Sequence, residues 1–271
     1  MAPDVEQAPG HPEVVRVVAP NPGPMTLEGT NTYIVGAAEG AYVIDPGPND
    51  AKHLERVRDA AGELAGVLLT HSHSDHSAGV AALGAPLLWG QVSAGEEAAA
   101  MAAAAAGQVP DLSAPAAEPP SRIGPFSVIP TPGHAADHVC FAWGRVCFCG
   151  DRVLGHGSTI VPPAAGGGSL AAYMDSLARL AELGAELLAP GHGPWITDPA
   201  AKIHEYAEHR RTRERHLVAA LETGERSRAA LLARVWEDVP EILRPAAAIA
   251  MQAHLEKLEA EGALTGVELV E

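Results

Sequence analysis

The sequence has little cysteine, little positive charge and no long apolar run. Only three cysteines, Cys140, Cys147 and Cys149, occur in 271 residues. An odd number without C-x-x-C spacing excludes a disulfide framework and a cysteine-based zinc knuckle. They read as reduced core thiols, although Cys147 and Cys149, two apart in one strand, can also share a face beside Asp151. Lysine and arginine number 18 against 34 acidic residues, for a net charge of −16. The deficit is concentrated in residues 1–198, with 8 basic against 21 acidic side chains, while residues 199–271 carry 10 against 13. This excludes a broad basic surface for nucleic acid. No stretch approaches the roughly 20 apolar residues of a membrane span. The opening "MAPDVEQAPGHPE" has acidic residues and no apolar run, so the expectation is a cytoplasmic protein without membrane contact.

What is present is a chain that is 47% hydrophobic, long enough to bury a sizeable core as one large domain or one plus a small module. Short β-branched or aromatic segments at 13–18, 32–36 and 41–45, separated by Gly, Pro and Asn, predict strands joined by turns. A helix follows over about 50–62, then an apolar strand at 66–70, a helix at 77–84, and strands at 85–90 and 126–130. The Ala/Pro-rich stretch 102–120 predicts a helix and then a lid-like loop. "HVCFAW" and "RVCFCG" around Gly144 predict a hairpin, followed by a helix at 169–183 and a strand at 185–190. Alternation of strands and helices makes the class α/β, with sheets covered by helices. From Asp198 the texture changes to helices at about 199–222, 227–236 and 244–262 and a β-like end, 263–271. The expected division is a domain over 1–200 and a winged-helix-like module over 201–271, with a simple helical cap as the alternative.

The chemistry is concentrated in "LLTHSHSDHSAG", residues 68–79. His71 and His73, two apart at a strand end, can aim to one side, whereas Asp75 and His76 fall where the chain turns into a helix. Four donors crowded on one ion would be strained, so two adjacent metals fit better. Capping of the helix by Ser74 or Asp75 is the plainer alternative. It loses ground because His134 in "PTPGHAADH", Asp151 in "CFCGDRV" and His192 in "APGHGP" each stand where a strand meets a Gly-containing turn.

"THSHSDH", "TPGHAADH", "GDRV" and "PGHG", in that order over residues 70–193, resemble the metallo-β-lactamase superfamily of hydrolases. The resemblance implies a four-layer αβ/βα sandwich with two metal ions at one edge. It implies one site from His71, His73 and His134, a second from Asp75, His76 and His192, and Asp151 bridging them. Secreted β-lactamases of this fold commonly carry Cys where this chain has Asp151, and flavodiiron oxidoreductases carry Glu where it has His73. Zinc hydrolysis is therefore favoured, with iron or manganese left open. "GTNTYIVG", "VIDPG", "GDRVLGHGSTIV" and "LEKLEAEGAL" are similar to the lactamase-beta-like endoribonuclease group, whose members end in a winged-helix module and whose branch also includes thioester hydrolases.

The expected function is hydrolysis of an ester or thioester by a hydroxide bridging two Zn²⁺. The alternative is cleavage of single-stranded RNA, for which Arg210, Arg211, Arg213 and Arg215 in "HRRTRERH" would supply phosphate contacts. The plainer reading of the same arginines, and the favoured one, is a solvated helix face paired with Glu208 and Glu214. A mononuclear iron dioxygenase and a nucleic-acid-binding regulator are weaker readings, the latter because residues 244–262 hold Arg244 and Lys257 against Glu256, Glu259 and Glu261. Asp75 is the candidate proton acceptor. His138 either protonates the leaving group or supports a ligand, and Asp45 is expected to orient a ligating histidine. Thr30, Asn31 and Tyr33 are candidates for the pocket rim or, for Asn31, turn formation. His156 either touches substrate or is an exposed loop histidine. A homodimer is compatible with the C-terminal module.

Overall fold

Alternation along the strands decides the architecture. The computed structural model describes residues 5–92 and 118–270. The first sheet runs in sequence order through β1 (Val5–Ala8), β2 (His11–Val18), β3 (Asn31–Ala37), β4 (Gly40–Ile44), β5 (Leu64–Leu68) and β6 (Leu87–Trp89). Its first four strands are antiparallel and its last three parallel. The second sheet contains β7 (Arg122–Ile123), β8 (Phe126–Pro130), β9 (Val139–Trp143), β10 (Val146–Gly150) and β11 (Leu187–Pro190), antiparallel except for the β10–β11 pair.

Successive residues of a strand face opposite sides, and here both sides are apolar. Tyr33, Val35, Ile44 and Leu68 of the first sheet meet Phe126, Phe141 and Phe148 of the second in the layer between them. Ile34, Val43 and Val67, on the opposite face, pack under α1 (Ala51–Ala61) and α3 (Val80–Leu83). On the outer face of the second sheet Cys140, Cys147, Cys149 and Leu188 pack under α4 (Leu170–Glu182) and the first half of α5 (Pro199–Glu222). The result is an αβ/βα sandwich. Cys147 and Cys149 do share a face, but it is the helix-covered one, and all three thiols are buried there and free of disulfides. The reading that brought them beside Asp151 is corrected accordingly.

Local sequence sets the helix starts. Asp50, Ser169, Asp198 and Ser227 each accept a backbone N–H three residues on, and Pro199 occupies the first turn of α5. The helix expected at 77–84 is instead two single turns, α2 (Ser74–Ser77) and α3. The break has a local cause: the Gly79 N–H donates to Gly47 O at 2.9 Å, and a Cβ on Gly79 would lie 2.9 Å from Leu54 Cδ2. The first turn begins at Ser74, so Asp75 and His76 belong to it. The strand β1 went unanticipated because its sequence, VEQA, offers little alternation. The helix and lid expected at 102–120 lie outside the described residues except for 118–120.

Beyond residue 222 come α6 (Arg228–Val235) and α7 (Arg244–Ala260). Leu217 and Leu221 of α5 pack with Leu231, Val235, Met251, Leu255 and Leu258 in a separate cluster. The long helix thus contributes Ile203 and Tyr206 to one core and its last turns to another. The β-like end is a correction: residues 262–269 form turns and irregular chain, with Gly262 and Gly266 at positive φ, and extended pairing shrinks to one parallel bridge, Ser227 with Val270. Two left-handed glycines four residues apart turn the chain too often for a hairpin. No helix among the described residues is long and apolar enough to cross a membrane.

Phe148 is the seam of the two sheets, fully buried with its ring 5.3 Å from Tyr33 and 6.2 Å from Phe126. Replacing it with Ala should cost about 3–5 kcal/mol in urea unfolding; a loss below about 1 kcal/mol would show that the sheets do not depend on this contact.

Candidate metal centre

The C-terminal ends of β5, β8, β10 and β11 deliver the candidate donors to one edge of the sandwich. His71 and His73 follow β5, Asp75 and His76 sit in α2, His134 follows β8, Asp151 follows β10 and His192 follows β11. The structure brings all seven together. His73 Nδ1 lies 3.0 Å from His71 Nε2 and 3.1 Å from His134 Nε2. Asp75 Oδ2 lies 3.2 Å from His192 Nε2 and 3.5 Å from His76 Nε2. Asp151 stands between these groups, with Oδ2 at 3.7 Å from His134 Nε2 and Oδ1 at 3.4 and 3.5 Å from His192 and His76 Nε2.

Four of the five rings are aimed from behind. His71 Nδ1 meets Thr70 Oγ1 at 3.0 Å, His76 Nδ1 meets Asp45 Oδ2 at 2.9 Å, His134 Nδ1 meets Ile160 O at 2.7 Å and His192 Nδ1 meets Gly29 O at 3.2 Å. With Nδ1 occupied outward, Nε2 of all four points inward, which is how a protein fixes the tautomer of a ligating imidazole. Asp45 is itself held by the backbone N–H and hydroxyl of Thr70 at 2.8 and 2.7 Å, and its backbone is left-handed, φ 51°. Close approach is enforced by Gly191, where a Cβ would lie 2.2 Å from Asp151 Oδ1, and by Gly150, at φ 47°, where it would lie 2.4 Å from Thr70 Oγ1.

Charge divides the centre in two. Burial removes water from His71 and His134 and the neighbouring histidines add to the effect, holding His71 well below the ordinary range and pushing His134 down to about 3. At His76 and His192 burial acts in the same sense but is overcome by the carboxylates of Asp75 and Asp151, so His76 stands well above the ordinary range and His192 is lifted to about 10. Burial would likewise neutralise Asp75 and Asp151, yet the facing imidazoles hold Asp75 at about 2 and Asp151 well below the carboxylate range. Asp151, buried and kept ionised, needs positive charge beside it, which the imidazoles of His76 and His192 supply when protonated and a metal ion would supply in their place.

The donors suit metal ions. Ligand atoms around a tetrahedral ion with bonds of about 2.0–2.1 Å stand about 3.3 Å apart, close to the separations above. His71, His73 and His134 form one group of atoms able to hold an ion and Asp75, His76 and His192 another; a third, Asp45 with His71 and His76, reuses donors of both. His76 Nε2 and Asp151 Oδ1 are buried without a hydrogen-bond partner, and a cation that displaced the Nε2 proton of His76 would satisfy both atoms.

The remaining expected residues lie around this set. Asn31 Nδ2 donates to Pro190 O at 2.9 Å and Gly193 O at 2.8 Å, and Tyr33 Oη donates to Pro190 O at 2.7 Å. Both are buried and grip the turn that carries His192, so neither forms a rim. Thr30 Oγ1 is 3.4 Å from Asp75 Oδ2. His138 is buried behind His71, its ring stacked at 5.1 Å and its Nδ1 2.9 Å from Thr131 Oγ1. His156 is exposed and pairs with Glu28 Oε1 at 2.8 Å. Sequence reasoning missed Thr70, Thr159, the Ile160 and Gly29 carbonyls, and Arg16, which donates to Gly193 O at 2.8 Å. Only Thr70, adjacent to His71, carried a positional signal.

Asparagine tolerates a left-handed backbone, so Asp45→Asn tests the carboxylate without disturbing the turn. It should weaken retention of one ion by about 10–100-fold in a chelator competition, with the circular dichroism spectrum unchanged. Equal retention would remove Asp45 from the support of His76.

Residues 25–192 match the family profile described as the metallo-beta-lactamase superfamily, and residues 227–265 match the beta-lactamase associated winged helix domain. The chain is 37% identical to lactamase-like protein adaB of Aspergillus niger, over 85% of this chain and 69% of that protein. It is 35% identical to an atrochrysone carboxyl ACP thioesterase of Aspergillus chevalieri, over 81% and 68%. A crystal structure of a metallo-beta-lactamase family protein from Thermus thermophilus superposes with a TM-score of 0.69 at 25% identity, over 94% of this chain and 96% of that one. The chain belongs to the metallo-beta-lactamase superfamily of metal-dependent hydrolases and carries the winged helix domain associated with it.

Proposed function

We propose that this chain hydrolyses an ester or thioester with two divalent ions, zinc first among them. One ion is assigned to His71, His73 and His134, the other to Asp75, His76 and His192. The observation that carries the proposal is the split of Asp151, whose two oxygens face different histidine groups at 3.4–3.7 Å. Held by these residues, the ions would supply a hydroxide nucleophile at neutral pH and would stabilise charge developing on the substrate carbonyl oxygen. Asp75, with its side chain 28% exposed, is the carboxylate most open to solvent at the centre and is assigned to accept a proton while remaining a ligand. His138, buried behind His71, is assigned to support of that ring rather than to the leaving group. The thioesterase named among the relatives favours a thioester substrate.

The arginines argue against the RNA alternative. Arg210 is buried, Arg213 donates to Asp238 Oδ2 at 2.7 Å in the C-terminal part, and Arg211 is paired with Glu208. What looked like one basic patch is turned in three directions. Phosphate binding draws on several accessible cations together, and this helix leaves only Arg211 and Arg215 exposed, both beside Glu208.

Metal analysis of purified protein should give close to two ions per chain, with the element identified directly, and Asp151→Ala should lose about one of them with most activity. Of labelled thioesters, simple esters, lactones and single-stranded RNA, the thioesters should be turned over fastest. His134→Ala and His192→Ala should each stay folded, lose one ion and lower kcat by orders of magnitude, as when transition-state stabilisation is removed. A full metal complement in Asp151→Ala would sink the shared-carboxylate assignment, and cleavage of RNA alone would sink the thioester reading.

A further inference from the structure

The helix that leads into the C-terminal part also reaches back toward the centre. Arg210, midway along α5, is 4% exposed. Its NH2 donates to the carbonyl oxygen of Thr159 and, at 3.1 Å, to Ser158 Oγ. Its guanidinium also lies 5.4 Å from the centre of the Tyr173 ring, over which Arg152 sits at 4.4 Å. These partners are a carbonyl, a hydroxyl and an aromatic face, none of them charged. A guanidinium buried without a carboxylate is a poor source of stability, so its location calls for another explanation. The segment that it grips supplies one: Ile160 O receives His134 Nδ1 at 2.7 Å, and Thr159 Oγ1 lies 3.3 Å from the same nitrogen.

We propose that Arg210 is a positioning residue for His134, holding residues 158–160 so that the imidazole keeps its Nε2 aimed at His73 and Asp151. The inference rests on the two-ion centre proposed above. Arg210 touches no donor itself. It acts through one backbone segment, and its loss would leave Thr159 O without that donor and free the Ile160 carbonyl to shift. The consequence is selective: the ion at His71, His73 and His134 is weakened, while the ion at Asp75, His76 and His192, whose histidines are aimed by Asp45 and Gly29, is not. Arg213, three residues further along the same helix, provides the control, because its hydrogen bonds go to Val235 O and Asp238.

The test uses the full chain, stripped by chelator and titrated with Zn²⁺ against a chromophoric chelator, with the Co²⁺ absorption spectrum as a second probe of coordination. Wild type and Arg213→Ala should bind two ions alike. Arg210→Ala should bind one ion as wild type does and the other about 10–100-fold more weakly, with Arg210→Lys in between. The weakened ion should be the one lost in His134→Ala, not in His192→Ala. Two ions held as tightly as in wild type would overturn the proposal, as would equal weakening in Arg213→Ala. Should Arg210→Ala not fold, Arg210→Lys decides alone, and unchanged affinities overturn the proposal. A wild type that binds fewer than two ions would instead overturn the centre on which the proposal rests.

Discussion

A carboxylate buried among histidines is the constraint from which the rest of the centre follows. Asp151 has its side chain 11% exposed and its two oxygens turned to different imidazole groups. An ionised carboxylate in such a place is costly unless positive charge surrounds it. The chain answers with four imidazole Nε2 atoms and one Nδ1, delivered by three strand ends of two sheets. The geometry of the sheets exists to make that convergence possible: strands that twist over a shared aromatic layer bring loops from both to one edge.

Precision at the centre comes from an outer layer of hydrogen bonds, half of it made by backbone carbonyls. Carbonyls of Gly29 and Ile160 hold two of the rings, and the carbonyls of Pro190 and Gly193 are in turn held by Asn31, Tyr33 and Arg16. A carbonyl is fixed by the path of the chain, so its aim is as rigid as the packing beneath it. That is why β3, which provides no donor, matters to the site: it ties the first sheet to the turn of His192 at three points.

Much of this was legible in the sequence, and the gaps have physical reasons. Aspartate is an ordinary turn residue but histidine has no such turn-forming use, so the histidines of "THSHSDH", "TPGHAADH" and "PGHG", with "GDRV" between them, pointed to the candidate donors and the family together. The strands with β-branched residues were readable for the same reason of local preference. Partners that act through backbone atoms leave no residue-type signature; nothing in "GSTIV" marks Ile160 O as a support for His134. The arginines of "HRRTRERH" were misleading in the opposite way, because helical rotation by about 100° per residue separates neighbours that look like one patch. Arg210 and Arg213 turn inward on different cores, and only the packing of the helix reveals it.

The 24-residue helix α5 has no joint between its two ends. Its first half is nailed into the sandwich by Ile203 and Tyr206, its last turns into the C-terminal cluster by Leu217 and Leu221. A continuous helix cannot melt at one end without stripping apolar cover from the layer it shares there. The two cores are therefore joined by continuous helix and not by a loose linker, and a cut within residues 208–216, which contribute to neither apolar cluster, would sever that rigid connection while leaving each half its own anchors.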